Sequence, residues 1–585
     1  MIKEGCQNCK SEFIIEDEDL EFYKKIDVPP PTFCPDCRFQ RRAIFRNERK
    51  LFRRPDSNSG EQIFSGIPEG APVKVYDHDY WWSDSWDSMA YGREMDFTRP
   101  FLEQVLELSR EVPRPSRAVS SLINSDYTNN ANNLKDCYLC FDGSFAEDCM
   151  YCVTFNHQKS CVDTYQSSEN ELCYENFSTG NCYKAFFSVD SSGCQNTWLC
   201  KGCMDCSDCF GSINLKHQKY YIFNQPYSKE DYFEKLKEFN LGSYESFSKL
   251  KKQAEEHWLK YPKKYMNGSQ NMNATGDHIW ESKNTKDCYQ ILRSENLSYC
   301  QNVLAAKDSM DYYVWGSGAE LIYESVTCGE NVKGLKFCVD CWPGCQDMEY
   351  SIGCRASANL FGCVSLKKKQ YCILNKEYSK EEYKELVARI KVHMKDMPYT
   401  DSRGHTYSYG EFFSSDFSPN AYNETLASDF FPLTQQEAEA QGFLWREPIV
   451  KEFDITIQAK DLLDHINDVP EDITKEIISC MQCEKAFRYA PKEIEFYKRF
   501  TIPLPRLCAE CRHIERLKHR NKLDWYTRAC QCAGEKSENE VYQNLGQSHQ
   551  SHPASEHCPN EFETTYPPDS KEIVYCEQCF QAEIV

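Results

Sequence analysis

Cys6-x2-Cys9 and Cys34-x2-Cys37 open the chain, and Cys480-x2-Cys483 and Cys508-x2-Cys511 repeat the same spacing near its end. Four thiolates on two tight turns can close a tetrahedron around a soft d¹⁰ ion such as Zn²⁺. The two sets are copies: at an offset of 474 they align without a gap, with Phe22-Tyr23 on Phe496-Tyr497, Pro29 on Pro503 and Arg46-Asn47 on Arg520-Asn521. Cys530-x-Cys532 and Cys576-x2-Cys579 suggest a third site, in which His552, His557 or Cys558 can take the place of Cys532. Three zinc ions are therefore expected. A four-cysteine cage leaves no open position for water, so the expected role is structural and not catalytic. At the N-terminal end Asp56 and Asn58 stand where Cys530 and Cys532 do, and Val75-Tyr76-Asp77-x2-Tyr80 resembles Val574-Tyr575-Cys576-x2-Cys579, as if that end had lost the second site. Asp77, His78 and Asp79 read as a solvated turn in preference to a hard-cation site.

A basic run follows each second CxxC. Arg38 to Arg54 holds eight basic residues against one acidic, and Arg512 to Arg528 six against two. Arg38, Arg41, Arg42, Arg46 and Arg49, with Arg512, Arg516 and Arg520, recur at steps that place them on helical faces. They are candidate nucleic-acid contacts; the competing reading is that they offset the −2 charge of a tetrathiolate zinc site or pair with local acids. Cys200, Cys203, Cys206 and Cys209 have spacing reminiscent of an iron–sulfur cluster. The second repeat copy places Ser351, Cys354, Ser357 and Leu360 there, which favours stacked core thiols. Tyr80-Trp81-Trp82-x3-Trp86 reads as a docking face for a helix over 100–112 in preference to a base-stacking surface. No phosphate-binding loop, HExxH, GxSxG or GxGxxG is present, and His157, His217 and His278 read as surface residues without an acid partner.

The order CxxC, aromatic, Phe-Tyr, proline, Cys-x2-Cys-Arg resembles the probable zinc-binding domain family of zinc-ribbon or treble-clef type. Here it is Cys6/Cys9, Phe13, Phe22-Tyr23, Pro31 and Cys34 to Arg38; the other copy runs through Cys480, Cys483, Phe487, Phe496-Tyr497, Pro505, Cys508, Cys511 and Arg512. The resemblance covers about 45 residues at each end and implies zinc. The whole chain resembles uncharacterised bacterial zinc-module and repeat proteins sometimes labelled CaiB/BaiF, a label no motif here supports.

The elements between the modules carry a second duplication. At an offset of 151, Lys135-Asp136-Cys137-Tyr138 matches Lys286-Asp287-Cys288-Tyr289, and the copies close alike through Tyr227-Ser228-Lys229-Glu230 and Tyr378-Ser379-Lys380-Glu381. Cys137, Cys149, Cys161, Cys173, Cys182, Cys194 and Cys203 follow one another at 12, 12, 12, 9, 12 and 9 residues. Short strands between turn residues at that spacing predict a β-solenoid, with two rungs per coil of 21 to 24 residues in a flattened right-handed β-helix. Capping boxes at Ser228/Asp231, Ser379/Glu382 and Thr434/Glu437 predict helix starts, the first two as caps over the solenoid ends.

The expected fold is mainly β: duplicated solenoid repeats with α-helical caps, flanked by small zinc-ribbon or treble-clef modules. The expected divisions are 1–55, N-terminal zinc module; 56–118, degenerate second ribbon plus helix; 119–226, repeat copy one; 227–269, helical connector; and 270–377, repeat copy two. Residues 378–400 follow as a helix, 401–473 as a linker with a short helix, 474–528 as the C-terminal zinc module and 529–585 as a second ribbon. A net charge of −22 argues against wholesale wrapping of nucleic acid. No stretch has the ~18 consecutive apolar residues of a membrane helix, and the unpaired-thiol reading fits a reduced, cytoplasmic setting. The leading expectation is a zinc-binding, non-catalytic scaffold or interaction protein with an unknown protein or nucleic-acid partner. The alternatives are nucleic-acid binding through the arginine faces and an enzyme with its site between the repeat bodies.

Overall fold

A computed structural model describes residues 1–447, 453–532, 552 and 558–584. The chain is mainly β. One solenoid of ten strands runs from Val119–Ile123 to Gln225–Pro226, and another of eleven runs from Gly268–Ser269 to Lys376–Glu377. In the first, strand Val153–Lys159 pairs in parallel with Tyr165–Glu171 on one side and with Cys140–Glu147 on the other, partners such as Val153 and Tyr165 standing directly opposite. One coil therefore takes twelve positions of the chain, as in the bond from Cys161 N–H to Cys149 Sγ in the coil before it. The longer, two-rung coil of 21 to 24 expected from the cysteine spacing is corrected accordingly.

So short a coil closes because the backbone turns at every third residue. Asp136, Leu139, Asp142, Phe145 and Asp148 all have φ between 51° and 56°. Asn, Asp and Gly tolerate this left-handed region best. Bulky residues at corners are held by ladder bonds; Tyr151 donates its amide to Tyr138 O at 3.0 Å. The residue after each corner faces inward, so the core draws on one position in three: Leu134, Cys137, Cys140, Ala146, Cys149, Cys152 and Phe155 belong to it. A four-sided tube with so few residues per side has room for small side chains, and cysteine is small and apolar enough to line it. Phe155 is an exception made possible by Gly143 in the preceding coil, where a Cβ would come within 2.6 Å of its ring.

The second solenoid begins with eleven-residue steps, Gly268 to Ile279 and Met272 to Lys283, settles to twelve, then takes thirteen from Met310 to Tyr323 and from Lys333 to Gln346, and returns to twelve. Consecutive left-handed residues at Val314-Trp315 and Glu330-Asn331 fall within the thirteen-residue steps from Met310 to Tyr323 and from Tyr323 to Lys336.

The helix that follows each solenoid covers its last coil. Ser228 and Ser379 cap helices Lys229–Glu238 and Lys380–Asp396 by accepting the amides of Asp231 and Glu382 at 3.1 and 3.3 Å, which satisfies amides that the first turn leaves unpaired. Tyr232 then packs against Tyr220, and Tyr383 against Tyr371, each pair with ring centroids 5.8 Å apart. Thr434 caps Gln435–Ala440 in the same manner. No described helix is long and apolar enough to cross a membrane.

The chain forms two compact units, and they interleave in sequence. Unit 1 joins Met1–Ala118 to Met266–Glu447; unit 2 joins Val119–Tyr265 to the described residues beyond Glu447. The N-terminal cysteine module thus packs on the second solenoid, and the C-terminal modules pack with the first.

Candidate metal centres

In the N-terminal module Cys6 follows the hairpin strand Ile2–Gly5, which pairs with Glu12–Ile15, while Cys34 caps helix Pro35–Ala43 and Cys37 lies in its first turn. Cys508 and Cys511 take the same places on helix Ala509–Leu517, and both capping cysteines have φ −66° and ψ 162°. The ligand sulfurs of Cys6, Cys9, Cys34 and Cys37 lie within 4.8 Å of one another, as do those of Cys480, Cys483, Cys508 and Cys511. Cys9 and Cys34 are 3.7 Å apart, and Cys483 and Cys508 are 3.8 Å apart. A tetrahedron with metal–sulfur bonds of about 2.3 Å has its sulfurs about 3.8 Å apart, so both cages have the dimensions of a metal site. Amides already point into them: Cys34 N–H donates to Cys6 Sγ and Cys508 N–H to Cys480 Sγ, each at 3.3 Å. Although burial works against ionisation, backbone N–H groups of Cys483, Cys508 and Gln482 bring the Cys480 thiol down to about 7. Such sulfurs suit a cation as partner.

The arginines that follow are directed into the protein. Arg38 Nε meets Asp311 at 2.9 Å, and Arg42 meets Asp311 at 3.0 Å and Glu324 at 2.9 Å, all four side chains being no more than 2% exposed. Arg41 bridges Glu324 and Glu411 at 2.8 and 2.9 Å. In unit 2 the same clasp reappears: Arg512 meets Asp163 at 2.8 Å, and Arg516 meets Asp163 at 3.0 Å and Glu175 at 2.9 Å. In both units the solenoid acids, Asp311 and Glu324 or Asp163 and Glu175, are left-handed corners one coil apart, and the arginines that meet them, Arg38 and Arg42 or Arg512 and Arg516, are one helical turn apart. A tyrosine completes each clasp: Tyr299 OH donates to Asp19 and Tyr151 OH to Glu493, both at 3.1 Å. Burial pushes Asp163 up to about 7 against the pull of Arg512 and Arg516. The sequence expectation that these faces meet nucleic acid is corrected accordingly for Arg38, Arg41, Arg42, Arg512 and Arg516. Arg46 is also buried, against Glu48 and Thr327, Arg49 pairs with Asp429, and Arg520 is partly buried in its module.

At the C-terminal end Cys530, Cys558, Cys576 and Cys579 form a third buried set with mutual distances within 4.8 Å. Cys558 is its fourth member, and Cys532 lies instead with His552 beside Cys579; His557 is outside the described residues. Cys576 N–H donates to Cys530 Sγ at 3.3 Å. The corresponding N-terminal subdomain keeps that bond with a carboxylate, Asp77 N–H donating to Asp56 Oδ1 at 2.9 Å. The flanking strands pair equivalently, Phe52 with Ser65 and Tyr526 with Thr564. Asp56 also accepts from the amide and hydroxyl of Ser59 at 2.7 Å, so it closes a turn.

Cys200, Cys203, Cys206 and Cys209 are the four inner residues of one coil. Their thiols donate to the carbonyls of Trp198, Lys201, Met204 and Ser207, each two residues back, at 3.3–3.6 Å. They do not form one of the compact ligand groups found among the described residues. Trp81 packs as a buried residue, donating its indole N–H to Pro113 O at 3.0 Å, with Lys367 over its ring at 4.3 Å. His278 is only 2% exposed beside Asp277, correcting its surface reading, while His157 and His217 are exposed but have Glu169 and Asp205 at 3.4 and 3.7 Å.

A cavity of about 200 Å³ lies next to the unit 2 clasp, with Arg516, His519, Lys251 and Trp258 in its wall. Burial, reinforced by Lys201 and Lys251, lowers His519 to about 3, and burial with Lys260 and Lys263 lowers His257 to about 4. A base that weak is poorly matched to proton transfer at neutral pH. It has a consequence for stability instead. The folded-state values lie below the ~6.5 of an unfolded histidine, so the unfolded chain binds protons first and stability falls as pH drops below about 6.5. For His519 alone, lowering the pH from 7 to 5 is expected to cost about 1–2 kcal/mol. Denaturation of the full chain at the two pH values, beside His519→Phe, measures this; an equal acid loss in the variant contradicts the assignment.

No family model matches the chain, and no curated protein matches it. Among solved structures, one similar chain is a putative acetyltransferase from Desulfovibrio desulfuricans G20, at 7% identity over 49% of this chain and 86% of that one, with a TM-score of 0.10. At that score it carries no argument.

Proposed function

We propose that this protein is a zinc-binding, non-catalytic cytoplasmic scaffold whose solenoids present their outer walls to a macromolecular partner. The observation that carries the reading is the division of side chains. The solenoid thiols and the arginines of the two clasps are turned inward, while large aromatics are left on the outside of the first solenoid. Tyr127, Tyr138 and Phe145 are 41%, 38% and 48% exposed. Tyr127 and Tyr138 pack edge to face at 5.4 Å, and Phe145 stacks on His157 at 4.6 Å. Rigid exposed aromatics of this kind are typical anchors of protein interfaces. The all-sulfur donor sets favour zinc over harder divalent ions.

The test compares full-length protein with a Tyr127→Glu, Tyr138→Glu, Phe145→Glu variant, using crosslinking in cells followed by purification. We expect a defined protein partner on the wild type, at least tenfold less of it on the variant, and the same metal content in both. An equal yield of partner on both proteins, or no macromolecular adduct on the wild type, contradicts the proposal. Nuclease-sensitive adducts would instead favour the nucleic-acid alternative.

A further inference from the structure

We infer that the C-terminal module holds two metal ions sharing the Cys579 thiolate, the second bound by Cys532, His552, Cys579 and Glu583. Two compact ligand groups meet at this residue: Cys530, Cys558, Cys576 and Cys579 form one, and Cys532, His552 and Cys579 the other. The first already provides the four sulfurs of a complete tetrahedral site, so the second group needs an ion of its own. His552 Nε2 stands 3.4 Å from Cys579 Sγ, and Cys532 Sγ stands 3.4 Å from Glu583 Oε1. Cys579 and Glu583 are four residues apart on helix Glu577–Ile584, which puts them on one helical face. Cys532 follows Cys530 by two residues, so one short segment supplies a ligand to each group.

Charge favours the same arrangement. Cys530, Cys532, Cys558, Cys576 and Cys579 are each no more than 5% exposed, and Glu583 adds a carboxylate. With all six ionised, one divalent ion leaves four negative charges in a region largely closed to water. A second ion reduces the residue to two, the value of an ordinary tetrathiolate zinc site. A thiolate bonded to one metal retains lone pairs for another. The second site replaces two sulfurs with an imidazole and a carboxylate, so it is expected to bind zinc less tightly than the three all-sulfur sites.

Native mass spectrometry of the full chain loaded with Zn²⁺ alone tests this. The wild type is expected to carry four ions, and Cys532→Ser and His552→Ala are each expected to carry three. Glu583→Gln is expected to release its fourth ion at a lower chelator concentration than the wild type. Loading with Co²⁺ supplies a second readout, because a bridging thiolate couples the two spins and diminishes their EPR signal. Three ions in the wild type, or four in both Cys532→Ser and His552→Ala, overturns the second site. Four ions with EPR intensity proportional to cobalt overturns the bridge. Loss of all C-terminal metal in Cys532→Ser overturns the division into two ligand groups, provided Cys558→Ser shows the same loss.

Discussion

Replacing Arg42 with alanine is expected to destabilise unit 1 by about 3–5 kcal/mol, the cost of leaving a buried charge without its partner. Arg42, Asp311 and Glu324 are all 0% exposed, and Arg42 contacts both carboxylates. Its removal leaves two carboxylates on adjacent coils with Arg38 and Arg41 to share. The surface pair Arg93–Glu111, whose side chains are 28% and 52% exposed, provides the control. Arg93→Ala is expected to cost less than about 1 kcal/mol. Hydrogen exchange at the strands containing Asp311 and Glu324 reads both variants. A further combination, Arg42→Met with Asp311→Asn, is expected to recover much of the loss because it leaves Arg38 and Arg41 facing Glu324 and Glu411 and so restores the balance of buried charge. If Arg42→Ala protects these strands as well as the wild type does, the clasp contributes nothing.

Metal removal is expected to have a larger effect. Structural zinc contributes about 10–16 kcal/mol of apparent binding energy in small peptides at pH 7, comparable with or above the ~5–15 kcal/mol stability of a whole domain. Cys34 caps the helix that carries Arg38, Arg41 and Arg42, and Cys37 lies in its first turn. Losing the ion therefore removes the fixed start of the helix as well as the hairpin attached to Cys6 and Cys9. Cys37→Ser is expected to lower the metal count by one, to unfold the N-terminal module and to raise exchange at Asp311 and Glu324. Because the module and the clasp act together, Cys37→Ser and Arg42→Ala should combine to far less than their sum. Additive losses in the double variant would mean that the metal cage and the arginines stabilise independent parts.

The sequence exposes more of the local plan than of the tertiary one. The repeat offsets identify the duplicated pieces, and Ser228 and Ser379 mark the covering helices. Coil length is easily misread because cysteine occupies only some inner positions. Separations of 12, 9 and 3 are all multiples of three, and that common divisor is the signal of a turn at every third residue. The Cys200 to Cys209 run, so like a cluster motif, is the same period filled by one residue type. The arginine faces invite assignment as binding surfaces because a helix carrying several arginines gives no local sign of what covers it. The complementary pattern lies far away, in Asp163 and Glu175 one coil apart and in Asp311 and Glu324 one widened coil apart. Cys558 is visible in the sequence only as an alternative ligand, and Glu583 escapes notice even though its four-residue separation from Cys579 is there to read.

Interleaving has a consequence for how the chain is made. The ribosome releases the N-terminal module first, yet the coils bearing Asp311 and Glu324 emerge only after the whole first solenoid has been synthesised. The first solenoid waits in turn for Arg512, which follows Asp163 by 349 residues, and for Arg516. Each half-built unit holds uncompensated acids or arginines during that interval, when long-range contacts are slow to form. No single cut between Ala118 and Glu447 divides the gene into two self-sufficient pieces. Expression of either unit in isolation calls for joining its two distant segments with a new linker.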